Sequence, residues 1–175
     1  MKKIFFAIIA VIGLLFLLFL RKNNEMNIIE VGDKVPNFIL QDQNGKTFNL
    51  ESELGSKMVI YFYPKNNTPA CTKEACKFRD EYESFTDLDV KVIGISSDSV
   101  ASHKKFEEKY NLPFLLLADI DNKVRGLFGV PKSMIFLPGR VTYVIDKNGI
   151  VRYIFNNQFG AEKHIVNALK KIKEL

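Results

Sequence analysis

Apolar residues along the chain fall into three kinds of run, and each kind predicts a different element. The first is single: Ile4 to Leu20 carries no charge and is apolar on every face, with Lys2-Lys3 before it and Arg21-Lys22 after it. As a helix it would be about 25 Å long, at the short end of what spans a bilayer. A cleaved signal peptide competes with this reading, but its cut follows small residues, whereas this run ends Leu17-Leu18-Phe19-Leu20. The pattern therefore predicts an uncleaved transmembrane anchor over residues 1–22, a polar linker over 23–27, and one domain over 28–175. Lys2 and Lys3 outweigh Arg21 and Lys22 once Glu25 is counted, by about one charge. The positive-inside tendency then places the domain on the extracytoplasmic side of the membrane, with the cytoplasmic side close behind.

The second kind of run is short, β-branched and aromatic. Residues 58–63, 90–96 and 114–118 are of this kind and predict buried strands. Two further pairs of runs flank Asn-Gly dipeptides and predict hairpins: residues 37–40 with 47–50 around Asn44-Gly45, and residues 141–145 with 150–154 around Asn148-Gly149. The third kind has helical spacing, at about 69–86, 100–110, 121–128 and 161–173. Strands alternating with helices, then a hairpin and a last helix, predict an α/β domain whose mixed central sheet has helices on both faces. This is the order of a thioredoxin-like fold with an additional N-terminal hairpin.

Charge narrows the function classes. The formal net charge is +5, but the extreme N-terminus carries most of it, and the remaining basic residues are interleaved with acidic ones. A nucleic-acid partner is not indicated. Two cysteines form no disulfide framework, and too few sulfur and imidazole groups lie near them for a zinc site.

Those cysteines sit in the most informative segment, Tyr63-Pro64-Lys65-Asn66-Asn67-Thr68-Pro69-Ala70-Cys71-Thr72-Lys73-Glu74-Ala75-Cys76. Thr68 suits a helix N-cap and Pro69 the first helical position. Cys71 then falls in the first turn, where unpaired N–H groups and the helix dipole favour a thiolate. Glu74, His103 and His164 read as residues of solvated helix faces, and Tyr61, Phe62, Tyr63, Phe78 and Phe85 as core or pocket wall.

The pattern Pro64-x-x-x-Thr68-x-x-Cys71, with Cys76-x-Phe78-Arg79-Asp80, the segment Pro138-Gly139-Arg140-Val141-Thr142-Tyr143-Val144-Ile145-Asp146 and Asn157-Gln158-Phe159, resembles the peroxiredoxins. The likeness is to their Q-type group, the bacterioferritin comigratory proteins, and it runs from about Val31 to the C-terminus. Ala70 departs from it, standing where the group often has Gly. The resemblance implies thiol-dependent reduction of hydrogen peroxide and organic hydroperoxides, with no metal, haem or flavin cofactor. It implies Cys71 as the peroxidatic nucleophile and Arg140 as a fixed positive charge beside it. Thr68 would hold the thiolate or peroxide, and Pro64 would shield the pocket. Cys76 would resolve the sulfenic acid by forming an intramolecular disulfide, recycled by thioredoxin or a similar dithiol. Residues five apart in a helix lie roughly 8.6 Å apart at Cα, beyond the roughly 7 Å that a disulfide tolerates. The first turns must then unwind in each cycle. Resolution within one helix also makes a monomer sufficient. Two other classes compete: a membrane-anchored thiol–disulfide oxidoreductase, disfavoured by four intervening residues rather than two, and a tethered interaction domain without activity.

Overall fold

The computed structural model describes residues 28–133 and 137–175. The expected anchor and linker, residues 1–27, lie outside them. Among the described residues no helix is long and apolar enough to cross a membrane.

Nine strands, β1 (Ile39–Asp42), β2 (Thr47–Asn49), β3 (Lys57–Phe62), β4 (Val90–Ser96), β5 (Leu115–Ala118), β6 (Lys132–Ser133), β7 (Leu137–Pro138), β8 (Val141–Ile145) and β9 (Val151–Asn156), are described. The helices are α1 (Pro69–Asp80), α2 (Tyr82–Thr86), α3 (Val100–Tyr110), α4 (Lys123–Leu127) and α5 (Ala161–Ile172). Seven strands form one mixed sheet in the order β2-β1-β5-β4-β3-β8-β9, and β6 and β7 make a small separate ribbon. Central β3 pairs in parallel with β4 and antiparallel with β8. Strands β1 and β2 pair antiparallel across Asn44-Gly45, and β1 joins the sheet against β5. Gly45 takes φ +75°, which glycine adopts without steric cost.

The continuous apolar run of β3 follows from its place. A strand covered on both faces has no polar side to present. Its alternation divides two cores: Met58, Ile60 and Phe62 enter one, while Val59 and Tyr61 enter the other with Cys71, Ala75, Phe78 and Ile165. Strand β8 divides likewise, Tyr143 to the first core and Val144 to the second. The pairing Tyr61↔Thr142 therefore sets both residues on the face that receives α1 and α5. Across the other edge Tyr61 is paired with Gly94, where a Cβ would meet the tyrosine ring at 2.7 Å. Gly94 makes the space in which that ring lies.

Helix α1 buries Cys71, Glu74, Ala75 and Phe78, a single stripe at i, i+3, i+4 and i+7. Phe78 stacks on Tyr61 with ring centroids 4.5 Å apart, fixing the helix over the sheet. The expected helix over 69–86 is interrupted at Glu81, whose ψ of 10° separates α1 from α2.

The two histidines expected on solvated faces are both fully buried. His103 on α3 meets Tyr63 Oη at 3.2 Å, and His164 on α5 meets Thr142 Oγ1 at 2.8 Å and the Asn157 carbonyl at 2.9 Å. The carbonyl can only accept, so His164 carries its proton on Nε2 and accepts from Thr142 at Nδ1. Burial pushes both rings down to about 4. At these two sites the unfolded chain binds more protons than the folded one between about pH 6.5 and pH 4, so their contribution to stability falls as pH drops through that window. Glu74, pushed up to about 8 by burial, offsets about one histidine's share. The loss amounts to about 3 kcal/mol per histidine by pH 4. Urea midpoints measured from about pH 6.5 to about pH 4 should show the net fall of two histidines against one carboxyl, and His164→Gln should flatten it. An equal slope in the variant would remove His164 from the explanation.

Candidate active site

The loop between β3 and α1 delivers the first site residues. Pro64 and Thr68 are partly buried there, and Asn67 takes a left-handed φ of 57°, a conformation asparagine tolerates better than most residues. The loop is tied down from the α3 side. Asn66 donates its backbone N–H to Asp98 at 2.8 Å, accepts from Tyr63 Oη at 2.7 Å, and donates through its amide to Ser102 at 2.9 Å.

Thr68 occupies the N-cap position of α1, but its side chain does not cap the helix. Its hydroxyl donates instead to the Lys65 carbonyl at 3.1 Å. Threonine readily makes such local backbone bonds, and here the carbonyl three residues back wins over the helix end. The hydroxyl proton is thereby engaged, and the oxygen lone pairs remain available to accept.

Pro69 begins α1, which makes Cys71 its third residue. The Thr72 N–H closes the first helical bond onto the Thr68 carbonyl at 2.9 Å. Cys71 is consequently the last residue whose N–H has no acceptor within the helix. Its sulfur is buried at 2 % exposure, whereas Cys76, one and a half turns further on, is partly exposed. Both are thiols within one unbroken helix.

Arg140 comes from the loop that leads into β8, the strand beside β3, and is 2 % exposed. Its fork is shared among three acceptors: Nη2 donates to Cys71 Sγ at 3.3 Å, Nη1 to Glu74 Oε2, and Nε to the Gln158 carbonyl at 3.2 Å. Structure thus brings Cys71 and Arg140 into direct contact, with Thr68 three residues before the sulfur on the same helical turn.

Glu74, like the two histidines, departs from the expected solvated helix face. It is completely buried, with Oε1 lacking a hydrogen-bond partner among the described residues and 3.8 Å from His164 Nδ1. Burial pushes its carboxyl up to about 8, against the opposing pull of Arg140. The signal for it was present: Glu74 stands three residues after Cys71 and four before Phe78, on the apolar stripe.

The family comparisons agree with this geometry. Residues 31–154 match the AhpC/TSA family. The chain is 53% identical over 148 residues to peroxiredoxin Q, chloroplastic, of Oryza sativa subsp. japonica, covering 84% of this chain and 68% of that one. This chain is a peroxiredoxin of the Q type. Among solved structures, peroxidoxin BcpB of Mycobacterium tuberculosis superposes with a TM-score of 0.78 at 34% identity, covering 84% of this chain and 98% of that one. Peroxiredoxin Q of Xanthomonas campestris gives 0.69 at 30% identity, with 76% and 89% covered. As a Q-type peroxiredoxin the protein is a thiol-dependent peroxidase with a thioredoxin-like fold.

One expectation is corrected by the same comparisons. The plant peroxiredoxins Q that this chain is similar to are named as chloroplastic proteins, and no described helix is long and apolar enough to cross a membrane. Membrane localisation, the membrane as a partner and the extracytoplasmic side are corrected by those names, and a membrane-anchored oxidoreductase falls with them. The expected anchor itself, residues 1–22, lies outside the described residues. An apolar run reports only that a segment would partition out of water, a property that targeting segments share with anchors.

Proposed function

We propose that Cys71 is the peroxidatic nucleophile of this peroxiredoxin and Cys76 its resolving partner, with Arg140, Thr68 and Pro64 completing the peroxide site. The observation carrying this reading is the 3.3 Å contact between Arg140 Nη2 and Cys71 Sγ in the first turn of α1. A thiolate there accepts a charge-assisted bond from a guanidinium shielded from water. It attacks the hydroxyl oxygen of a hydroperoxide. The S–O bond forms as the O–O bond breaks, and the departing alkoxide or hydroxide takes up a proton to leave as alcohol or water. Charge moves from sulfur to the departing oxygen, and Arg140 can follow it with fixed donors. Thr68 accepts from the peroxide O–H, the first-turn N–H groups orient its oxygens, and Pro64 limits water at the rim. Glu74 holds the second Nη of Arg140 and so aims the first at sulfur.

The sulfenic acid left on Cys71 condenses with the Cys76 thiol, releasing water and forming an intramolecular disulfide. An intact α1 keeps the two Cα atoms roughly 8.6 Å apart, too far for that bond. Helix α1 must open from its N-terminal end, parting Glu74 from Arg140. Its C-terminal end is better held, by the Phe78–Tyr61 stack and by Arg79 Nη1 on the Tyr110 carbonyl at 2.8 Å. A dithiol protein such as thioredoxin then reduces the disulfide and α1 reforms.

Amide hydrogen exchange on reduced and oxidised protein tests this cycle. Protection over residues 72–77 should drop by about a hundredfold or more on oxidation, because local opening replaces a folded helix. Protection near Phe78 to Asp80 should change less. Identical exchange in both forms would rule out the opening step.

A further inference from the structure

Arg125 is a buried guanidinium that the chemistry above leaves unused. It lies on α4, far in sequence from both cysteines, and is 8 % exposed. Nη1 donates to the Gly139 carbonyl at 2.8 Å and Nη2 to the Tyr63 carbonyl at 2.9 Å. Those two carbonyls belong to the residues immediately before Arg140 and before Pro64. One planar fork therefore joins the two loops that meet over Cys71.

The fork is itself firmly held. The backbone N–H groups of Val124 and Arg125 donate to the buried Asp119 carboxylate at 3.1 and 2.8 Å. The guanidinium lies 5.5 Å from the centre of the Phe62 ring on β3. On the far side the Gly139 loop has no slack, because a Cβ at Gly139 would meet the Pro131 carbonyl oxygen at 2.0 Å. Gly139 is thus fixed between Pro131 and Arg125, one residue ahead of the guanidinium that touches sulfur.

We propose that Arg125 is a positioning residue for peroxide reduction: by bridging the Tyr63 and Gly139 carbonyls it sets where Pro64 and Arg140 stand relative to Cys71 Sγ. This rests on the roles proposed above for Arg140 and Cys71. A lysine would keep the charge but has a single nitrogen on a flexible stem, and cannot hold two carbonyls in one plane. A displacement of Arg140 by about 1 Å is enough to cost up to about a hundredfold in rate. The disulfide step, which takes place after α1 has opened, does not use this alignment.

The test uses the full chain with Arg125→Lys and Arg125→Gln, reduced with dithiothreitol. Melting temperature, the second-order rate constant for hydrogen peroxide and the rate of subsequent disulfide closure are measured at 25 °C. The expected result in a folded variant is a peroxide constant lowered about 10- to 100-fold with closure unchanged. A folded variant with an unchanged peroxide constant, or with both steps slowed equally, would overturn the proposal. Failure of both variants to fold would also overturn it, since the guanidinium would then be a requirement of the fold and not of the site. An inert wild-type protein would instead bring down the underlying reading of Cys71.

Discussion

Replacing Arg140 with Met is expected to lower the second-order rate constant for hydrogen peroxide by about 10²- to 10³-fold at pH 7, the range found when one preorganised donor to developing charge is removed. Among the described residues Arg140 is the only cation hydrogen-bonded to Cys71 Sγ. The nearby Arg125 has both Nη groups committed to the Tyr63 and Gly139 carbonyls, so no neighbouring side chain donates in its place. The fold should survive the change. Glu74 loses its partner, but burial already pushes its carboxyl up to about 8, and it would stay protonated at neutral pH rather than become an unpaired charge. Arg140→Lys should recover only part of the rate, since an ammonium cannot serve sulfur, Glu74 and the Gln158 carbonyl together. Stopped-flow measurement of thiol loss against peroxide concentration gives the constant directly. A change under about fivefold in a folded Arg140→Met protein would mean that the guanidinium does not take part in the chemistry.

Much of this site was legible in the sequence because local patterns encode it. The unbroken apolar run at 58–63 marked a strand covered on both faces, and Thr68-Pro69 marked where α1 begins, which set Cys71 in its first turn. What stayed hidden depended on which surface a helix turns inward. His103 and His164 have charged neighbours in sequence, yet each lies on the buried stripe of its helix, His103 with Phe106 and His164 with Ile165, Ala168 and Ile172. Glu74 lies on the buried stripe of α1 in the same way, and there the spacing from Cys71 and Phe78 does mark it. The break at Glu81 escaped because Phe78, Tyr82 and Phe85 keep helical spacing across it, and periodicity does not register one residue leaving helical geometry.

Arg125 was beyond reach for a different reason. Its acceptors are carbonyls 62 and 14 residues away, and a carbonyl is present at every position, so sequence offers no sign of which ones it serves. Residues 1–22 show the reverse case, a strong local signal whose meaning lies outside the segment. Hydrophobicity sets where a chain can partition, not where the protein resides.

The second large effect is also the most direct test of the account, because every step begins at one sulfur. Cys71→Ser should abolish peroxide consumption above the background of dithiothreitol alone, since a serine hydroxyl in the same place is not ionised at neutral pH and forms no sulfenic acid. The substitution removes one atom type in a buried position and should leave the melting temperature within a few degrees. Cys76→Ser, measured alongside, should still consume about one peroxide per chain and then depend on added thiol, because the first oxidation does not need it. Peroxide consumption by the three proteins, followed in one assay, decides the matter. The account predicts turnover in wild type, a single equivalent in Cys76→Ser without thiol, and none in Cys71→Ser. Equal consumption by wild type and a folded Cys71→Ser would contradict it.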